Sequence, residues 1–111
     1  MAGERERRLG ENEAIFRAAN ERMARWVERT PLEAVELYFC ECAHPACRQK
    51  IRLSRSEYER VRSDATHFFV APGHEVADAE TVLESHPGWL LVEKDEAEAR
   101  EVAEETNPRQ G

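Results

Sequence analysis

All three cysteines of this 111-residue chain lie within a short stretch, at Cys40, Cys42 and Cys47. Thiolate sulfur and imidazole nitrogen suit zinc, which usually takes four such ligands in a tetrahedron. Residues two apart on a strand point to the same side, so Cys40 and Cys42 can reach one ion, and a turn at His44-Pro45 can bring Cys47 back to it. The spacing therefore predicts a metal site that holds one zinc ion per chain.

The fourth ligand is the open part of this prediction. We favour His74, because it follows the turn dipeptide Pro72-Gly73 and can approach the cysteines from a separate segment. His44 is so close in sequence to two of the cysteines that the ring it would close is strained. His67 begins a predicted strand, where its side chain can simply pack. Either of these histidines, water or Glu75 remains an alternative.

The cysteines also allow two readings without a metal. Free cysteine is often buried as a small hydrophobic residue. Alternatively, Cys40 and either Cys42 or Cys47 could form a reversible disulfide, which depends on the pKa and exposure of each thiol. An odd number of clustered cysteines fits poorly with a disulfide framework and favours metal binding or redox chemistry.

A catalytic role has less support from the motifs. Zinc with three thiolates and an open position can activate water, as in the nucleobase deaminases. The deaminase spacings H-x-E and P-C-x-x-C are missing, however, since His74 and Glu75 are adjacent and Cys47 is followed by Arg-Gln-Lys. Nucleotide-binding and hydrolase motifs are missing as well. Whether the protein is an enzyme stays uncertain, and we lean towards a non-enzymatic role.

Composition restricts the partners. Charged residues make up 35% of the chain, and the net charge of -7 repels nucleic acid and anionic membranes. We read the basic residues Arg48, Lys50 and Arg52 as a solvated strand face or as an electrostatic partner of the acidic C-terminal third, and not as a nucleic-acid site. The stretch 1–10 lacks the apolar segment of a signal peptide, and no run approaches the roughly 18 apolar residues of a membrane span. We therefore expect a cytoplasmic protein with a protein partner and no membrane association.

Hydrophobic periodicity predicts the elements that must position these residues. An amphipathic helix should run from Asn12 to about residue 29, with an apolar arc that includes Ile15, Ala18 and Trp26. A short helix should follow the capping box that begins at Ser54. The other predicted elements are strands at 34–42, 47–53, 67–71 and 89–92 and helices at 76–85 and 95–105.

These elements predict one α+β domain over residues 11–106, between a charged lead-in at 1–10 and a C-terminal tail at 107–111. The strands should form a small, mostly antiparallel sheet of three or four strands with helices packed on it. The metal site should lie at the loop of the first hairpin. Phe68 and Phe69 are predicted to lie in the core, and Trp26 and Trp89 in the core or at an interface.

Several motifs along the chain resemble a family of small uncharacterised actinobacterial proteins. They are Glu11-Asn12-Glu13-Ala14, Phe39-Cys40-Glu41-Cys42 with Cys47, Glu57-Tyr58, Phe69-Val70-Ala71-Pro72-Gly73-His74-Glu75, Val92-Glu93-Lys94 and Glu104-Glu105-Thr106. The resemblance covers residues 11 to about 109 and implies a stand-alone cytosolic domain with a C-x-C-x4-C…P-G-H-E pattern. Cys40, Cys42, Cys47 and His74 match that pattern, but it implies no particular activity.

The prediction from sequence is a small cytosolic zinc-binding protein that acts as a non-enzymatic interaction or regulatory module, with a structural ion. A thiol-based redox or metal sensor and a small metalloenzyme are the alternatives. A complete, buried set of ligands would favour the structural role, whereas an exposed thiol pair or an open coordination position would favour the alternatives.

Overall fold

A computed structural model describes residues 2–95 and 97–109 of the chain. Within those residues the chain forms three helices and five strands, so the predicted α+β class is confirmed. In chain order the elements are α1 (Ala2–Trp26), β1 (Val35–Phe39), β2 (Lys50–Ser54), α2 (Arg55–Arg62), β3 (His67–Val70), β4 (Glu80–His86), β5 (Trp89–Lys94) and α3 (Ala97–Glu105).

The strands form two antiparallel sheets, whereas the sequence predicted one. β1 pairs with β2, and the second sheet has the order β3-β5-β4. The chain passes from one sheet to the other directly after β1. The amide of Cys40 still donates to the carbonyl of Gln49 at 3.1 Å, and the next amide, of Glu41, donates to the carbonyl of Phe69 on β3 at 2.9 Å. The two sheets therefore meet where the first two cysteines lie.

The helix predicted at 76–85 is wrong, because this region contains a turn followed by β4. β4 pairs with β5, and His86 lies opposite Trp89 across the tight turn Pro87-Gly88. Gly88 has a φ of 86°, a conformation that glycine adopts without steric cost. A few apolar residues at helical spacing are a weak signal, and pairing with the next strand across a two-residue turn outweighs it here.

The first helix begins at Ala2, so its predicted start at Asn12 is wrong. Gly10 was expected to end the lead-in, but it lies inside α1 where this helix packs on α3. A Cβ atom at Gly10 would lie 3.2 Å from the Cβ atom of Val102, so glycine permits the close approach of the two helices. Neither α1 nor any other helix in the described ranges is long and apolar enough to span a membrane.

The buried side of α1 is polar, which the predicted apolar arc did not anticipate. Two residues of that arc, Ile15 and Trp26, are 66% and 87% exposed. The helix instead buries a stripe of Glu13, Arg17 and Asn20. Buried polar groups need hydrogen-bond partners, and Arg17 donates to two backbone carbonyls at 2.7 and 2.8 Å. α1 is therefore held to the domain by polar contacts as well as by apolar packing.

The capping box predicted at Ser54 is confirmed. Its Oγ accepts a hydrogen bond from the amide of Glu57 at 3.1 Å, and its own amide donates to Oε1 of Glu57 at 2.8 Å. The helix α2 that follows buries Tyr58 and Val61. The helix α3 and the strands β1, β2, β3 and β5 also lie within a few residues of their predicted positions.

Aromatic side chains join the two sheets in one core. The rings of Tyr38 on β1 and Tyr58 on α2 stack with centroids 4.5 Å apart, and Phe69 on β3 meets both edge-on. Phe68, Phe69 and Trp89 are buried, as predicted for core residues. Trp26 is not part of this core.

The predicted C-terminal tail, residues 107–111, is described as far as Arg109. The guanidinium of Arg109 contacts the carboxylates of Glu21 on α1 at 2.6 Å and Glu59 on α2 at 2.8 Å. Met1 of the predicted lead-in and residues 110–111 lie outside the described residues.

Candidate metal centre

The structure brings together the four residues that the sequence predicted as metal ligands. Cys40 and Cys42 follow β1, Cys47 precedes β2, and His74 follows β3. The four ligand atoms, three sulfurs and one imidazole nitrogen, all lie within 4.8 Å of one another. The group thus lies at the loop between β1 and β2, and the segment after β3 closes it.

The distances suit one tetrahedral ion. Nδ1 of His74 lies 3.7 Å from Sγ of Cys40 and 3.6 Å from Sγ of Cys47. Zinc bonds of about 2.3 Å to sulfur and 2.0–2.1 Å to nitrogen, at tetrahedral angles, place these atoms about 3.6 Å apart. Cysteines buried merely as hydrophobic residues would not require an imidazole nitrogen at that distance from two sulfurs.

A turn in the backbone positions the imidazole of His74. The amide of His74 donates to the carbonyl of Ala71 at 2.9 Å, and Gly73 inside the turn has a φ of 89°. The amide of Gly73 donates to Oε1 of Glu75 at 2.8 Å, which braces the turn from the other side. Pro72-Gly73 therefore has the role that the sequence predicted for it.

The other candidates for the fourth ligand have different partners. His44 is exposed, and its Nδ1 accepts a hydrogen bond from the amide of Ala46 at 3.2 Å. Nε2 of His67 faces Oε2 of Glu93 at 3.1 Å. The carboxylate of Glu75 accepts a hydrogen bond from the amide of Gly73, in the turn before His74. Among the described residues, only His74 joins the three cysteines in this group.

Burial and hydrogen bonds between the cysteines shift the pKa values of the three thiols in different directions. The hydrogen bond between Cys40 and Cys42, reinforced by burial, raises the pKa of Cys40, and the same bond lowers the pKa of Cys42. Burial raises the pKa of Cys47. Cys42 is therefore the thiol that loses its proton most readily. A divalent cation would displace the thiol protons and neutralise the thiolates that burial disfavours.

Sequence reasoning missed the residue between the first two cysteines. The carboxylate of Glu41 is fully buried, and Arg62 donates to both of its oxygens, at 2.6 and 2.8 Å. Asn20 of α1 donates to the same carboxylate at 2.9 Å. Charge-assisted bonds of this kind fix position strongly. Glu41 therefore anchors the backbone from which Cys40 and Cys42 project.

Asn20 also braces the end of β1. Its Oδ1 accepts the amide of Phe39 at 2.7 Å, and its Nδ2 donates to the carbonyl of Phe39 at 2.8 Å. Groups that orient ligands from behind are as much a part of a metal site as the ligands themselves. The alternation along this segment could have indicated that Glu41 points away from the thiols, but no spacing in the sequence identifies Arg62 or Asn20 as its partners.

The fold and the site together define the class of protein: a small α+β domain with a Cys3His group, able to hold a metal ion, at the junction of its two sheets. Comparisons with protein-family models, with curated proteins and with solved structures gave no match.

Proposed function

We propose that this protein binds one zinc ion per chain through Cys40, Cys42, Cys47 and His74. The observation that carries the proposal is the approach of all four ligand atoms to within 4.8 Å, with sulfur–nitrogen distances of 3.6 and 3.7 Å. Three soft sulfur ligands and one imidazole favour zinc over the hard cations calcium and magnesium, which prefer oxygen.

We propose a structural role for the ion. Four protein ligands complete a tetrahedral shell, which is typical of structural zinc sites, whereas catalytic sites keep one position for water. The ligands come from the β1–β2 loop and from the segment after β3, so one ion would clamp the two sheets together. A small metalloenzyme is the weaker alternative, because one protein ligand would first have to leave.

We further propose that the domain acts in the cytoplasm as an interaction or regulatory module with a protein partner. Exposed apolar side chains in one stretch of the sequence support this role. Trp26 is 87% exposed, and Leu32, Val35 and Leu37, which follow it along the chain, are all more than half exposed. Large apolar side chains left exposed to solvent can contribute to a protein interface.

Mass spectrometry of the intact protein under native conditions tests the zinc proposal. Protein purified without chelator, or reduced and then loaded with zinc, should gain the mass of one ion and lose the matching number of protons. A variant with all three cysteines replaced by serine is the matched control and should gain none. A folded, reduced wild-type protein that takes up no zinc would overturn the proposal.

A further inference from the structure

A cavity of about 970 Å³ adjoins the candidate metal centre. Its walls come from the first half of α1, the loop at 42–50 and the turn at 73–76. Cys42, Cys47 and His74 line it, so two of the three cysteines border a space large enough for small molecules. Cys40 is not among the lining residues.

The sulfurs differ in how well a molecule in this cavity can reach them. Cys40 and Cys42 are each 1% exposed, whereas Cys47 is partly exposed. Sγ of Cys40 also accepts a hydrogen bond from the amide of Ala71 at 3.2 Å, which draws electron density from that sulfur. A small molecule that enters the cavity therefore meets the sulfur of Cys47 first.

The charge of the cavity wall suits chemistry at a thiolate. Arg48 and Lys50 line the cavity, and none of its described lining residues is acidic, although the whole chain carries a net charge of -7. The guanidinium of Arg48 lies on the backbone of Cys47, since its Nη1 donates to the carbonyl of Cys47 at 3.1 Å. Cations on the wall can stabilise the hydroxide that leaves when a metal-bound thiolate is oxidised.

We propose that Cys47 is an oxidation site through which peroxides release the metal ion. This inference rests on the proposed function, because it assigns a regulation to the same zinc site. It makes Cys47 the labile ligand and Cys42 its resolving partner, while Cys40 stays reduced.

The chemistry takes two steps. In the first, the thiolate sulfur of Cys47 attacks one oxygen of hydrogen peroxide, so that an S–O bond forms, the O–O bond breaks and hydroxide leaves. In the second, the thiolate of Cys42, whose sulfur lies within 4.8 Å of that of Cys47, attacks the sulfenic sulfur. An S–S bond forms, the S–O bond breaks and a second hydroxide leaves. Two thiolates lose two electrons to the peroxide, and the ion, left with two ligands, dissociates.

Zinc-loaded protein treated with hydrogen peroxide tests the proposal. A colorimetric zinc indicator follows release of the ion, and alkylation before and after reduction, read by peptide mass spectrometry, shows which thiols were oxidised. We expect zinc release to coincide with a disulfide between Cys42 and Cys47. Dithiothreitol followed by added zinc should restore the loaded mass.

A variant that fills the cavity tests whether peroxide reaches Cys47 through it. Ala46 is exposed, lines the cavity and is not a ligand, so Ala46→Trp should slow zinc release several-fold while one zinc still binds. Ala18→Trp, at an exposed position on α1 away from the cavity, is the matched control and should react like the wild type.

The outcomes also distinguish this inference from the proposed function. If the untreated wild type holds no zinc, both are rejected. If it holds zinc but peroxide releases none, or Cys40 is oxidised first, the zinc proposal stands and the inference falls. Equal rates for Ala46→Trp and the wild type would likewise show that the cavity is not the route to the thiolate. If Ala46→Trp does not fold, the order of thiol oxidation in the wild type tests the inference: oxidation of Cys47 before Cys40 supports it, and oxidation of Cys40 first rejects it.

Discussion

Glu41 and Arg62 form a buried, bidentate ion pair, with Nη1–Oε2 and Nη2–Oε1 distances of 2.6 and 2.8 Å. The pair connects α2 to the residue that separates Cys40 from Cys42. The side chains of Arg62 and Glu41 are almost completely buried, at 2% and 0% exposure, so neither charge has water as an alternative partner. The stability of the domain and the geometry of the metal site therefore depend on the same contact.

Replacing Arg62 should affect stability and zinc affinity together. Arg62→Met leaves the carboxylate of Glu41 buried without its cation, which typically costs about 3–5 kcal/mol in the free energy of unfolding. Loss of a group that orients metal ligands typically weakens metal affinity by about 10–100-fold. Urea unfolding and competition with a zinc-binding dye measure the two effects.

The same helix offers a control for Arg62. Arg60 pairs with Glu84 at 2.8 Å, but that pair is on the surface, with side chains 47% and 37% exposed. Arg60→Met should change the free energy of unfolding by about 0–1 kcal/mol and leave zinc affinity unchanged. If the two variants behave alike, the Glu41–Arg62 pair does not have the role assigned to it.

The histidines should differ in their effect on zinc. His74→Ala removes the imidazole that lies 3.6 and 3.7 Å from two sulfurs and should therefore weaken zinc retention strongly. His67→Ala and His44→Ala remove imidazoles that contact Glu93 and the backbone, so both should retain zinc like the wild type. Dialysis against a graded series of chelator concentrations, followed by metal analysis, measures the order. Equal retention in all three variants would remove His74 from the site.

Removing the ion should loosen the domain locally and not unfold it. The ring contacts among Tyr38, Tyr58 and Phe69 involve no metal ligand, although Cys40 and Cys42 belong to the same buried core, whereas residues 40–50 and 72–76 are joined through the site. A chelator should lower the thermal midpoint and speed amide hydrogen exchange in those two segments, while the other strands stay protected. Global unfolding would show that the core is weaker than its packing suggests. No change in the midpoint or in exchange would argue against a structural ion.

Glu13 should make stability depend on pH. Burial, with a hydrogen bond to Glu80, raises the pKa of Glu13 well above 4.5, so the folded protein binds a proton that the unfolded chain releases. That contribution is fully present below about pH 4.5 and is lost as the pH rises through the raised pKa. Within this window the free energy of unfolding should fall by up to about 1.4 kcal/mol per pH unit.

The neutral variant Glu13→Gln isolates this effect. Its free energy of unfolding, relative to that of the wild type, should become more favourable as the pH rises from about 5 towards neutrality, because glutamine has no proton to lose. Titrating groups that do not contact Glu13 cancel in the difference. Glu11→Gln, at an exposed position on the same helix, is the matched control. Parallel curves for the wild type and Glu13→Gln would contradict the prediction.

The two tryptophans should differ in their contribution to folding. Trp89 is 3% exposed and stacks on His86 with ring centroids 4.2 Å apart, so Trp89→Ala should cost about 3–5 kcal/mol. Trp26 is 87% exposed, and Trp26→Ala should change the free energy of unfolding by at most about 0.5 kcal/mol. Thermal and urea unfolding test both variants. A large loss for Trp26→Ala would mean that this side chain is covered in solution.

Local chemistry in the sequence determined much of the site and several elements. The spacing of Cys40, Cys42 and Cys47 predicts a shared ion because backbone geometry alone brings nearby side chains together. The capping box at Ser54 predicts the start of α2 for the same reason, since its hydrogen bonds join residues three apart. Pro72-Gly73 predicts a turn because proline restricts the backbone angle φ and glycine can adopt positive φ values, wherever the two residues occur.

Only the tertiary structure decided the features that depend on distant partners. α1 begins well before Gly10 because α3 packs against it at that glycine. The buried face of α1 carries Glu13 and Arg17 because Lys94 and backbone carbonyls elsewhere in the fold contact their side chains. The choice of His74 among the histidines and the pairing of Glu41 with Arg62 have the same cause. Each joins residues that are distant in sequence, and only the folded chain brings their atoms within bonding distance.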